Sequence, residues 1–158
     1  MWKGVADMES FLLEEGDKMD PTTKQLLQSL IDRKSKLNRY KQLHFILFST
    51  AILFSAVLFY TVYNMAVLPF QTSIFDLITF ILQKNHFIFL LLIAFSLFGA
   101  VKIVFEKKTK SEKDYHALRC EVIDKSGDLW KGEQWENRHK IYEKMKKSYD
   151  INLYHQSK

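Results

Sequence analysis

From Leu43 to Leu68 the chain carries no Asp, Glu, Lys or Arg, and a second charge-free stretch runs from Asn85 to Val101. Globular chains distribute apolar residues at helix or strand period. Unbroken apolar runs of about 20 residues instead match a hydrocarbon layer of about 30 Å at about 1.5 Å of helix rise per residue. The pattern predicts two membrane-spanning helices. Before them, Asp20-Pro21 is a helix start, because Asp can cap free backbone N–H groups and Pro at the first helical position forfeits no hydrogen bond. Leu26, Leu27, Leu30, Ile31 and Leu37 then recur near the 3.6-residue period, so a basic helix with one apolar stripe should run directly into the first span.

Between the spans, Pro69 ends the first helix and Ser73-x-x-Asp76 resembles a capping box opening another. Ile74, Leu77, Ile78 and Ile81 share one face of that segment, and Asp76, Thr79 and Gln83 the other. It is too short to span, so it is expected to lie along the outer interface, with Tyr60, Tyr63 and His86 at headgroup level. Beyond Glu106 the chain is polar and helical in character, with a break expected at Ser126-Gly127 and Asp128 capping the helix after it. The fold class is therefore an all-α membrane protein. Its segments are an acidic arm and basic juxtamembrane helix (1–42), a first span (43–68), an outer loop with an amphipathic helix (69–84), a second span (85–105) and a helical tail (106–158). Ala51 and Ser55 in the first span, and Ser96 and Ala100 in the second, are small residues four apart that would let two backbones approach as a hairpin.

Charge orients this plan. The 158-residue chain has a net charge of +5, and the bases cluster at the span ends. Arg33, Lys34, Lys36, Arg39 and Lys41 precede the first span, Lys102, Lys107, Lys108, Lys110 and Lys113 follow the second, and Lys84 alone lies between. By the positive-inside rule both termini should be cytoplasmic. Arg33, Lys34, Lys36, Arg39, Lys41, Lys107 and Lys108 are candidate contacts to anionic lipid headgroups, each base contributing on the order of 1 kcal/mol near the surface. Residues 1–20 hold six acids against two lysines, which reads as a poorly ordered arm or short helix. The first apolar run comes after 42 residues rich in charge, so it is expected to persist as an anchor instead of being cleaved as a signal peptide.

Chemistry is sparse. Cys120 is the single cysteine, which excludes an internal disulfide or a Cys-pair metal motif, and five separated histidines form no HExxH. Glu136, His139 and Glu143 share a face of the last helix at spacings suited to a metal or a proton relay. Lys140, Lys144, Lys146 and Lys147 surround them, however, and alternating charge is the mark of a solvated face. Neither span carries an ionisable residue at mid-depth, where transport pathways place them. The tail from Lys102 holds 14 bases and 10 acids without a basic stripe, which argues against nucleic acid as a partner. No catalytic residue, cofactor or metal is expected.

The tail is, however, rich in large apolar groups. Trp130, Trp135, Tyr142, Ile151, Leu153 and Tyr154 are candidate partner contacts, because the short stripe of the N-terminal helix cannot cover them all and exposed aromatics rimmed by lysines mark binding patches. The stretch Trp135 to His155, WENRHKIYEKMKKSYDINLYH, resembles the YpbF-type small two-span membrane proteins of Bacillus and related Gram-positive bacteria. That resemblance implies a bacterial cytoplasmic membrane location and transfers no catalytic residue. The reading is a non-catalytic adaptor or scaffold at the inner face, joined through its tail to a protein partner or a second copy. The alternatives are an accessory subunit of a membrane enzyme or transporter, and a lipid-modifying enzyme.

Overall fold

The structure is a computed structural model that describes residues 20–64, 73–130 and 134–154. The expectations for residues 1–19, the end of the first apolar run and Pro69 lie outside them. Among the described residues every regular element is helical: α1 Pro21–Val62, α2 Ile74–Gln83, α3 Asn85–Asp124, α4 Ser126–Leu129 and α5 Gln134–Tyr149. The chain divides into two compact units, Met1–Arg39 with Thr109–Lys158, and Tyr40–Lys108. Helices α1 and α3 each contribute residues to both.

The first unit has a conventional core. Leu27, Leu30, Ile31 and Leu37 of α1, Tyr115, Leu118 and Val122 of α3, Ile141, Tyr142 and Met145 of α5, and Trp130, Ile151 and Leu153 outside the helices are buried together. The spacing 27-30-31 in α1, 115-118-122 in α3 and 141-142-145 in α5 presents one apolar stripe per helix, as helical periodicity demands. Thr23, also buried, donates its hydroxyl to the Leu129 carbonyl at 3.3 Å. The expected break falls one residue earlier, at Lys125. It leads into the four-residue α4, which contains Asp128, so Asp128 does not cap the last helix; that helix begins at Gln134.

The second unit inverts the usual arrangement. Phe45, Leu53, Phe59, Phe89 and Phe95 are all at least 65% exposed, and α1 and α3 are both long and apolar enough to cross a membrane. Only 6% and 11% of their apolar windows are buried within the chain. Thr50, Ser55, Thr61 and Ser96 donate their hydroxyls to carbonyls three or four residues back, to Ile46, Ala51, Leu58 and Ile93. Such bonds satisfy a hydroxyl without water. Helix α2 starts where the capping pattern predicts, but the Ser73 hydroxyl makes no capping bond. The four small residues named for the two apolar runs differ in exposure. Ala51 is buried and Ser55 and Ala100 are partly buried, whereas Ser96 is exposed.

Candidate interaction surface

Helix α5 ends at Tyr149, and Asp150 turns the chain with φ 57°. Left-handed backbone is open to Asp because its short polar side chain tolerates it. The Asp150 N–H still donates to the Lys146 carbonyl and the Ile151 N–H to that of Met145, at 3.1 Å each, which satisfies carbonyls left over at the helix end. Ile151, Asn152 and Leu153 follow outside any helix. Ile151 is 0% and Leu153 2% exposed.

Two cations hold this segment by its main chain. Arg119, itself buried, donates through Nε to the Asn152 carbonyl at 2.6 Å. Lys34 donates through Nζ to the Asp150 carbonyl at 2.9 Å and to its carboxylate at 3.0 Å, with the ammonium 5.3 Å from the Tyr115 ring centroid. Asn152 Oδ1 accepts the Tyr154 N–H, and the Tyr154 hydroxyl donates to the His139 carbonyl, both at 3.0 Å. The Tyr154 ring meets Tyr142 edge-on at 5.6 Å. The segment Asp150 to Tyr154 is thus an integral wall of the first unit.

The structure divides the six candidate partner contacts into two groups. Trp130, Tyr142, Ile151 and Leu153 are buried in the chain's own core, because α3 supplies apolar surface that the stripe of α1 lacks. Trp135 and Tyr154 stay accessible, at 49% and 45% exposure. The Arg138 guanidinium carbon lies 3.8 Å from the Trp135 ring centroid. This stacking of a planar cation on an indole face leaves the assembly amphipathic.

The basic residues also divide. Arg33 donates to the Asp114 carbonyl at 2.8 Å and Lys34 holds Asp150, so these two work inside the first unit. Lys36, Arg39, Lys41 and Lys107 are exposed, and Lys108 is partly buried with its ammonium 5.5 Å from the Phe105 ring centroid. The pattern that located these bases did not single out Arg119. Its only sequence signal is its place beside Leu118 and four residues after Tyr115, at the edge of an apolar stripe.

Of the Glu136, His139 and Glu143 group, the Glu136 side chain lies outside the described residues. His139 is exposed, and Glu143 pairs with Lys147 at 2.6 Å. The Lys147 hydrogen bond, then its charge, hold that carboxyl below its ordinary value. Among the described residues no group of three His, Cys, Asp or Glu is placed to hold a metal.

Burial raises the phenol of Tyr115, and likewise that of Tyr142, where Trp130 partly opposes it. Among the described residues neither the Tyr142 hydroxyl nor Trp130 Nε1 completes a hydrogen bond, although their rings meet edge-on at 6.0 Å. Because the folded pKa values lie above the unfolded ones, this stabilisation is complete below about pH 10, the ordinary tyrosine pKa, and is lost as pH rises through the raised values. Tyr142→Phe is therefore expected to leave melting at pH 7 within about 1 kcal/mol of the parent, since among the described residues the hydroxyl completes no hydrogen bond. Above about pH 10 it should lose stability less steeply with pH than the parent, and an identical alkaline slope in both proteins would contradict this.

A family model described as "Protein of unknown function (DUF2663)" matches residues 26–156. The "Uncharacterized protein YpbF" of Bacillus subtilis (strain 168) is 34% identical over 153 residues, covering 96% of this chain and 100% of that protein. No solved structure matches.

Proposed function

Since the chain belongs to the DUF2663 family, and family membership brings no activity with it, we propose from the geometry that it is a two-span protein of the bacterial cytoplasmic membrane. Both termini are cytoplasmic, and the first unit is a non-catalytic adaptor at the inner face. The observation that carries the membrane reading is the burial contrast. A core helix of a soluble protein buries its apolar window, whereas these two bury 6% and 11% of theirs. About 25 cal/mol per Å² of apolar surface would oppose leaving such helices in water. The bases at the span ends then orient the chain, and α2, on which Phe75 and Leu82 are exposed, is taken to lie along the outer interface.

Cysteine labelling tests the topology. A cysteine at Ser73, which is exposed, should react with an impermeant maleimide on intact cells, and one at Lys113 only after permeabilisation. Lys113 is chosen because it is exposed, whereas its neighbour Ser111 is buried and would stay unreactive on either side. Reaction of the Lys113 cysteine in intact cells would overturn the orientation.

The adaptor reading rests on Trp135, an exposed indole carrying Arg138 on its face beside the lysines of α5; Trp and Arg are the residue types enriched at binding hot spots. A photo-crosslinking residue at Trp135 should capture a protein partner or a second copy in membranes, while one at Gln25, exposed on α1, should not. Trp135→Ala should leave the melting temperature within about 2 °C, as exposed positions do, and should lose the partner. Equal cross-linking from both positions would remove the support for this surface.

A further inference from the structure

Within the second unit, the place where α1 enters its apolar run and α3 leaves its own is marked by an aromatic cluster that the topology does not require. His44 stacks on Phe48, with ring centroids 6.0 Å apart and planes 8° apart, and meets Phe105 of α3 at 5.5 Å. Lys108, one turn beyond Phe105, folds its ammonium back to 5.5 Å from the same ring centroid. An imidazole from α1 and an ammonium from α3 thus both approach the Phe105 ring. Phe48 and Phe105 remain 46% and 49% exposed, so the donors adjoin accessible apolar surface. Lys41, three residues before His44, adds positive charge on that side of α1.

We propose that His44, Lys108 and the Phe48–Phe105 rings form a binding site for the phosphodiester of an anionic glycerophospholipid. The proposal rests on the membrane reading above and goes beyond a diffuse attraction to basic residues. An ammonium supplies three N–H donors and an imidazole at least one, enough to engage both unesterified oxygens of a phosphodiester. The rings supply apolar area for the glycerol and the start of the acyl chains. Free phosphate would use the donors and leave the rings in water, which is why an amphiphile fits better. A lysine carrying the same charge but lacking this geometry, such as the neighbouring exposed Lys107, forms no part of the site.

The test uses the full chain purified in a non-ionic detergent, incubated with mixed micelles of phosphatidylglycerol or phosphatidylcholine, with retained lipid counted by native mass spectrometry. The parent should retain phosphatidylglycerol preferentially. His44→Gln/Lys108→Gln should lower that retention about tenfold, the scale expected when two donors to one anion are lost. Lys107→Gln, which also removes a lysine charge, should stay within about twofold of the parent, because it perturbs only the diffuse potential. Lys108→Met alone, which keeps the apolar stem, should fall between them and serves if the double variant folds poorly. Equal loss in Lys107→Gln and the double variant would overturn the site in favour of non-specific attraction. Complete displacement of the lipid by millimolar inorganic phosphate would overturn the amphiphile assignment. Both results are distinct from failure of the membrane reading, which would show as a chain that does not sediment with membranes at all.

Discussion

Replacing Ile151 and Leu153 together by alanine is expected to unfold the first unit while leaving the chain in the membrane fraction. Each side chain is essentially inaccessible, and truncating a buried Ile or Leu to Ala costs about 2 to 5 kcal/mol through lost transfer energy and the cavity left behind. Two such losses approach the whole stability of a small domain, about 5 to 15 kcal/mol. Deleting residues 149–158 should act more strongly still, because it removes both anchors together with the acceptors of Lys34 and Arg119. Near-ultraviolet circular dichroism should lose the signal of Trp130, which is packed edge-on to Tyr142. Limited proteolysis should open the region from Thr109 onward. A deletion variant that melts like the parent would show that the docked segment contributes nothing to the unit. A tail that served only as a partner-binding arm would behave that way, so this experiment separates a structural terminus from a free one.

The second large effect is expected at Arg119. Its guanidinium is buried, and Nε donates to the Asn152 carbonyl. Arg119→Ala leaves a carbonyl without its donor, at about 1 to 3 kcal/mol, and also removes the packing of the alkyl stem. Arg119→Met restores much of the stem and none of the hydrogen bond, so the difference between the two variants isolates packing. Combining Arg119→Ala with Leu153→Ala should be less destabilising than the sum of the single changes, because both act on one short segment and the first already loosens it. Chemical denaturation of the purified protein measures all three. Strict additivity would mean that Arg119 and Leu153 support separate parts of the structure.

Local pattern carried much of this fold. The start of α1 at Pro21, the start of α3 at Asn85 and the helical nature of the tail were legible because helix formation, capping and apolar run length depend on residues a few positions apart. The stripe of Leu27, Leu30, Ile31 and Leu37 was legible for the same reason. The pattern was less exact where a boundary depends on one turn: the break before α4 falls at Lys125 instead of Ser126-Gly127, and Ser73 begins α2 without using its hydroxyl.

The interaction surface was legible only as a set of candidates. Trp130 and Trp135 are the same residue type in one lysine-rich context, yet one is 2% and the other 49% exposed. Likewise Lys34 and Lys36 look alike in the basic run before the first apolar stretch. Only Lys34 closes on Asp150, 116 residues away, while Lys36 remains exposed. Which segments are helical, which runs are apolar enough for a bilayer and where charge collects all follow from residues adjacent along the chain. Tertiary structure alone decided which tail residues are core and which are surface. A side chain is buried only if a partner face from another element arrives opposite it, and the pairing of α1 with α3 and α5 joins positions too distant for any local pattern to encode.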